Sequence, residues 1–391
     1  MMIITNARVL AKGKVLRDVD VAVEDGRIRS VGKDLKGTNR IDARGALLAP
    51  GFVDLHIHGC AGDDAMDGGS AVARMAEWLP RTGVTAFLAT TMCDSLEKTR
   101  DALEGVRRAA DAPKGATVLG AHLEGPFLNT ARKGAQPEQF VKAPSLDAYA
   151  RITLGYESLP RILTIAPEVE GATELIRMLQ DNLALSAGHT DATCEEILEA
   201  ADAGLTQATH LFNAMSPFTH RAPGAVGAAL SDPRIRVQLI ADLVHLHPVA
   251  LKVAWKAKGA ALCLLVTDAM AATGMPDGDY RLGSQDVTVS GGVARLTHNG
   301  AIAGGTAHLL DIVRTTVAGG VPLVDVVRAA ATTPATVLGD PTVGALEAGR
   351  RADVVVVDDD LHPVTVWRAG VVVTARPAAP ARCRRERTCH G

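Results

Sequence analysis

The sequence predicts an α/β protein: a (β/α)8 barrel of TIM type with a small discontinuous β-sandwich built from both termini. Three observations predict it. Between about residues 51 and 342, eight short apolar runs alternate with amphipathic helical stretches. The two ends, 1–50 and 343–375, are instead rich in β-branched residues punctuated by glycine. The length of 391 residues exceeds one small domain and suits a barrel with a satellite module. A doubly wound open sheet is the alternative for the middle, but no G-x-G-x-x-G follows its first strand.

The elements follow in order. At the N-terminus, strands are expected over 3–4, 7–10, 19–23 and 27–31, separated by turns at Gly13, Gly26 and Gly32. Barrel strands are expected over 52–57, 86–90, 118–123, 162–166, 184–187, 207–211, 236–240 and 262–267. Helical patterns between them cover 70–79, 96–110, 174–182, 192–203 and 248–258. At the C-terminus, 353–357 reads as a strand and 364–373 as a hairpin turning at Ala369-Gly370. The remaining segment, 376–391, is rich in Arg, Pro and Ala without apolar period, and is expected to be a disordered solvated tail.

Composition excludes several classes. With 41 basic and 44 acidic residues, nothing draws the chain to nucleic acid. Aromatic residues are only 3%, too few for a base-stacking platform. No apolar run approaches the roughly 18 residues of a membrane span, and MMIITNARVLAKGKVL lacks the pattern of a signal peptide. Six scattered Cys with no C-x-x-C suit a reducing, cytoplasmic location.

The chemistry is expected where the strands end. In a barrel, the C-terminal ends of the strands form the active face. The 52–57 strand carries His56 and runs into His58, a spacing that puts both imidazoles on one face, about 7 Å apart along a strand. The 118–123 strand runs into Glu124, read as either a surface charge or a ligand. His122, two residues earlier, reads as a packed histidine. His189 and His210 sit in strand-end phrases, SAGHTDAT and QATHLFNAM. A Glu with two His leaves an open position on a tetrahedral divalent cation, as hydrolytic zinc sites require. Asp268 ends a continuous apolar run, and Gly274 and Pro276 leave little room for a helix that it might cap. A carboxylate beside an activated water can take its proton and return it to a leaving group.

Taken together, PGFVDLHIHG, HLEGPF, AGHTDAT, THLFNAM, HRAPG, IADLVH and VTDAM occur in the order found in the N-acetylglucosamine-6-phosphate deacetylase family of the amidohydrolase superfamily, which the chain resembles over about residues 2–372. The resemblance implies a metal held by Glu124, His189 and His210, with Asp268 as general base and then general acid. It implies that His56 and His58 can hold a second ion. The cofactor is thus one or two divalent cations, zinc first, with iron, manganese or cobalt as alternatives. Substrate contacts carry over onto Ala135, Gln136, Asn213, Ala214, Arg221, His245, Ile302, Ala303 and Gly304. The partners implied are a small-molecule sugar-phosphate substrate and, in a homodimer, a second copy of the chain. One departure stands out. Where the family usually shows KKGAH, this chain has Arg132-Lys133-Gly134-Ala135-Gln136. The amide of Gln136 can hydrogen-bond as the family's His would, but it carries no charge.

Overall fold

The computed structural model describes residues 1–375; the segment read as a tail, 376–391, lies outside the described residues. Eight parallel strands form one sheet in chain order: β1 (Phe52–Ile57), β2 (Val84–Thr91), β3 (Thr117–Glu124), β4 (Pro160–Ile165), β5 (Ala184–Ala187), β6 (Leu205–Ala208), β7 (Arg236–Leu239) and β8 (Cys263–Leu265). After them, in turn, come α1 (Ala71–Trp78), α2 (Leu96–Asp111), α3 (Leu146–Thr153), α4 (Ala172–Leu179), α5 (Cys194–Asp202), α6 (Gly224–Ser231), α7 (Pro248–Lys258) and α8 (Leu309–Ala318). The result is a (β/α)8 barrel.

Local chemistry explains the alternation. Every residue of β1 and of β2 is buried, so both read as continuous strands covered on two faces. The helices carry their own start signals. Ser95 caps α2 by accepting the Lys98 N–H at 3.2 Å, and Thr193 with Glu196 forms a reciprocal box at the start of α5. Three of these eight helices, α3, α6 and α8, were not expected from the sequence. Of these, α6 buries Gly224 to Ala229 without interruption, so it shows no polar face from which a period could be read.

The barrel closes between β1 and the segment after β8. The Asp268 N–H donates to His56 O at 2.9 Å, and the His58 N–H donates to Ala269 O at 2.8 Å. Asp54, fully buried, ties the same seam from inside the barrel. Its Oδ2 accepts the Thr267 hydroxyl at 2.6 Å, and its Oδ1 accepts the His56 N–H at 3.2 Å. Burial pushes the Asp54 carboxyl up to about 6, against the lowering effect of the Thr267 bond. Gly59 then permits the close crossing, because a Cβ there would sit 2.4 Å from Asp63 O and 2.8 Å from Ala271 N.

Strands from both ends of the chain join one eight-stranded sheet. Leu47–Pro50 pairs antiparallel with Val354–Val357, with Leu48 opposite Val356. Ile4, Val9, Val21 and Val23 from one end share a core with Val354, Val356 and Trp367 from the other. The expected turn at Ala369-Gly370 is present, with both residues at positive φ (49° and 74°), as a two-residue hairpin loop requires. One element was not anticipated. A three-stranded antiparallel sheet, Gly278–Leu282, Gln285–Ser290 and Val293–Leu296, is inserted between β8 and α8. Its buried Leu282, Val287, Val289, Ala294 and Leu296 pack on Met66, Met92 and Met270 beside the barrel mouth.

Candidate metal centre and substrate cavity

Six polar side chains meet at the C-terminal ends of the barrel strands. His56 comes from β1 and His58 follows it, Glu124 ends β3, and His189, His210 and Asp268 lie just past β5, β6 and β8. The sequence placed His210 inside a strand, whereas β6 stops at Ala208. His189, His210 and Asp268 all adopt positive φ (49°, 32° and 49°). Non-glycine residues seldom do so. Here the chain turns sharply at each strand end, and the turn aims the side chain at the barrel axis.

Glu124 is the hub. Its Oε1 lies 3.3 Å from His56 Nε2, 3.3 Å from His189 Nε2 and 3.1 Å from His210 Nε2. Its Oε2 lies 3.3 Å from His58 Nε2. The Oδ1 of Asp268 is 3.2 Å from His56 Nε2 and 3.1 Å from His58 Nε2. Two pairs of imidazole nitrogens also face one another, His56 with His58 at 3.2 Å and His189 with His210 at 3.1 Å.

This donor set fits a cation. His56–His58–Glu124 and Glu124–His189–His210 each bring three ligand atoms within 4.8 Å of one another, all buried. The outward nitrogens fix the tautomers. Arg132 O can only accept, so His189 Nδ1 carries the proton and donates to it at 3.0 Å, which leaves the Nε2 lone pair facing inward. Gln238 Oε1 accepts from His56 Nδ1 at 3.0 Å to the same effect. The electrostatics agree. Burial opposes charge on His58, but hydrogen bonds to Asp268 and Glu124 outweigh it and push the imidazole up to about 9. Burial likewise opposes ionisation of Glu124 and Asp268, yet His56 and the neighbouring imidazoles hold both well below the usual carboxylate range. A pocket that raises His56 and His58 and lowers Glu124 and Asp268 is one that attracts positive charge.

Beside this cluster is a cavity of about 170 Å³. His58, Glu124, His189, His210 and Asp268 form one wall; Ala135, Gln136, Asn213, Ala214, His245, Ile302 and Gly304 line the rest. Leu282 of the inserted sheet covers part of it, and Gln285 anchors that sheet by donating to Ala135 O at 3.2 Å. Three expected contacts sit differently. Arg221 is exposed and does not line the cavity. Ala303 is fully buried behind the wall. Gln136 lines the cavity, but both ends of its amide are bonded to protein: Nε2 donates to Glu124 Oε2 at 2.7 Å and Oε1 accepts the Cys93 N–H at 2.8 Å.

Sequence reasoning overlooked two residues of the site. Asp242 accepts from His245 Nδ1 at 2.7 Å and so turns that ring; its place in IADLVH, three residues before His245, was the available signal. Asp54, two residues before His56, was the other. His122 is packed, as its sequence suggested. It is fully buried, 2.7 Å from the Thr164 hydroxyl, with its ring edge-on to His56. Among the described residues, no helix is long and apolar enough to cross a membrane.

Residues 47–377 match the amidohydrolase family. An N-acetylglucosamine-6-phosphate deacetylase of Bacillus subtilis is 35% identical, over 96% of this chain and 98% of its own. An N-acetylgalactosamine-6-phosphate deacetylase of Escherichia coli O157:H7 is 36% identical, over 93% and 97%. Among solved structures, an aspartate-to-alanine mutant of the N-acetyl-D-glucosamine-6-phosphate deacetylase of Mycobacterium smegmatis, in complex with N-acetyl-D-glucosamine-6-phosphate, superposes with a TM-score of 0.90 at 36% identity, over 96% of this chain and 99% of that one. By the match across its barrel and by these full-length relatives, the chain belongs to the amidohydrolase family.

Proposed function

We propose that this chain is a metal-dependent deacetylase that hydrolyses N-acetyl-D-glucosamine 6-phosphate to D-glucosamine 6-phosphate and acetate. The observation that carries the reading is the convergence of Glu124, His189, His210 and Asp268 on one cavity wall, in a chain whose full-length relatives carry that name. Glu124, His189 and His210 would hold the main cation, and His56 and His58, with Glu124 shared, a second. The mixed imidazole and carboxylate donors suit zinc. When bound, such a cation supplies Lewis acidity toward an amide carbonyl oxygen and an attacking water.

The chain's own residues do the rest. Asp268 Oδ1 faces the cluster and takes a proton from the water that attacks the acetamide carbonyl. The resulting tetrahedral adduct collapses as Asp268 returns that proton to the departing nitrogen, so the aspartate is regenerated and no net proton is consumed at it. Leu282 of the inserted sheet adds an apolar group to the cavity lining beside these residues.

His245 is placed to receive the sugar phosphate or a hydroxyl. Its Nδ1 is taken by Asp242, so Nε2 is the free donor toward the cavity. Burial pulls its titration down, but the Asp242 bond and charge outweigh that and leave it raised. A protonated His245 attracts a phosphate dianion and a neutral one does so less. KM for the sugar phosphate should therefore rise with pH as His245 deprotonates, above its ordinary value of about 6.5. In His245→Gln that rise should flatten and KM at neutral pH should increase roughly tenfold, the cost of about 1.4 kcal/mol of binding. Initial-rate kinetics across pH would check both.

The four described cysteines are all free, which supports a cytoplasmic location. Leu243 and Val249, both exposed, line one apolar surface depression, which supports a homodimer. The galactosamine epimer is the second reading, because one relative carries that name. Acetate release measured side by side on the two 6-phosphates decides between them: higher kcat/KM on the glucosamine compound supports the proposal, and the reverse order replaces it.

A further inference from the structure

Gln136 does more than line the cavity. It is almost fully buried, at 2% exposure, and its amide orientation is decided by a neighbour. The Cys93 backbone N–H can only donate, so the amide oxygen must face it at 2.8 Å. The NH2 group must then face Glu124 Oε2, where it donates at 2.7 Å. The backbone anchors the same residue from the other side, since the Gln136 N–H donates to Lys133 O at 2.9 Å.

That bond divides the carboxylate. Oε1 is left to the three imidazoles of His56, His189 and His210, while Oε2 faces His58 and is engaged by the amide. Among the described residues, the Gln136 amide is the side-chain donor to Glu124 that is not itself a candidate ligand. The other contacts to its oxygens come from histidine Nε2 atoms, which give up any such bond once their lone pairs serve a cation.

We propose that Gln136 is a positioning residue for the metal centre: it fixes the carboxylate plane of Glu124 so that Oε1 is presented to the His189–His210 side. Its contribution is therefore to metal affinity and turnover rather than to sugar-phosphate binding. This rests on the metal-site reading above.

The test uses full-length wild type, Gln136→Met and Gln136→Ser, each stripped and titrated with Zn²⁺ against a competing chelator. Met keeps the volume without a donor; Ser is too short to reach Glu124, and it carries the test if Met disturbs folding. Zn²⁺ affinity should fall 10- to 100-fold in the variants, as outer-sphere losses do. In the zinc-saturated enzymes, kcat should fall while KM stays within about threefold. Unchanged zinc affinity, or a raised KM at unchanged kcat, would overturn the positioning role in favour of a substrate contact. A wild-type chain that takes up no zinc would instead overturn the metal-site reading itself.

Discussion

Asp268→Asn is expected to fold, to keep its metal and to lose about 10³-fold in kcat, within the range that a positioned general base and acid contributes. The amide matches the carboxylate in shape, so the turn after β8 has no reason to change. The backbone that holds it is anchored independently, through the Asp268 N–H to His56 O and through Thr267 to Asp54. What the amide lacks is a site for a proton from water. It also lacks the proton that the amine needs in order to leave. Because neither loss affects ground-state binding, KM should change far less than kcat. Single-turnover kinetics with metal content measured on the same sample would check this, and a variant within tenfold of wild type would remove Asp268 from the reaction.

His189→Ala is expected to fail differently. His189 meets both Glu124 Oε1 and His210 Nε2, and its tautomer is set by Arg132 O. Its loss removes one of the three candidate ligand atoms of the Glu124–His189–His210 group. Loss of an outer-sphere partner alone costs 10- to 100-fold in metal affinity, so loss of the ligand should cost more than about 100-fold. Activity should be absent at stoichiometric metal. It should return only partly at high metal concentration, because the three-ligand set stays incomplete. Asp268→Asn keeps metal and loses turnover, whereas His189→Ala loses both. Elemental analysis of the two purified variants would separate the roles.

The strand ends were legible because polar residues there interrupt apolar runs. Glu124 after 118–123 and Asp268 after 262–267 are conspicuous for that reason, and His56 and His58 share a face by simple alternation. Side-chain direction beyond the strand was not legible. The family resemblance makes Gln136 a substrate contact, but its amide turns away to Glu124 because the Cys93 N–H claims its oxygen. Arg221 follows Thr219 and His220 on an exposed segment, and no local pattern says which way such a segment faces. The inserted sheet did carry a period-2 signal, with Val287 and Val289 buried between exposed Asp286, Thr288 and Ser290. It was lost among the turn residues that flank it. For α6 there was no signal to find, since a helix buried all round has no polar face.

The proposed function makes the residues meeting at the barrel mouth a metal-dependent deacetylase. The most direct measurement is acetate release from N-acetyl-D-glucosamine 6-phosphate by one preparation, first stripped of metal by chelation and then restored with Zn²⁺. The expected result is near-complete loss on stripping and recovery on addition of one or two equivalents. Acetate release that is unaffected by stripping would contradict the metal dependence, and no release in either state would contradict the activity.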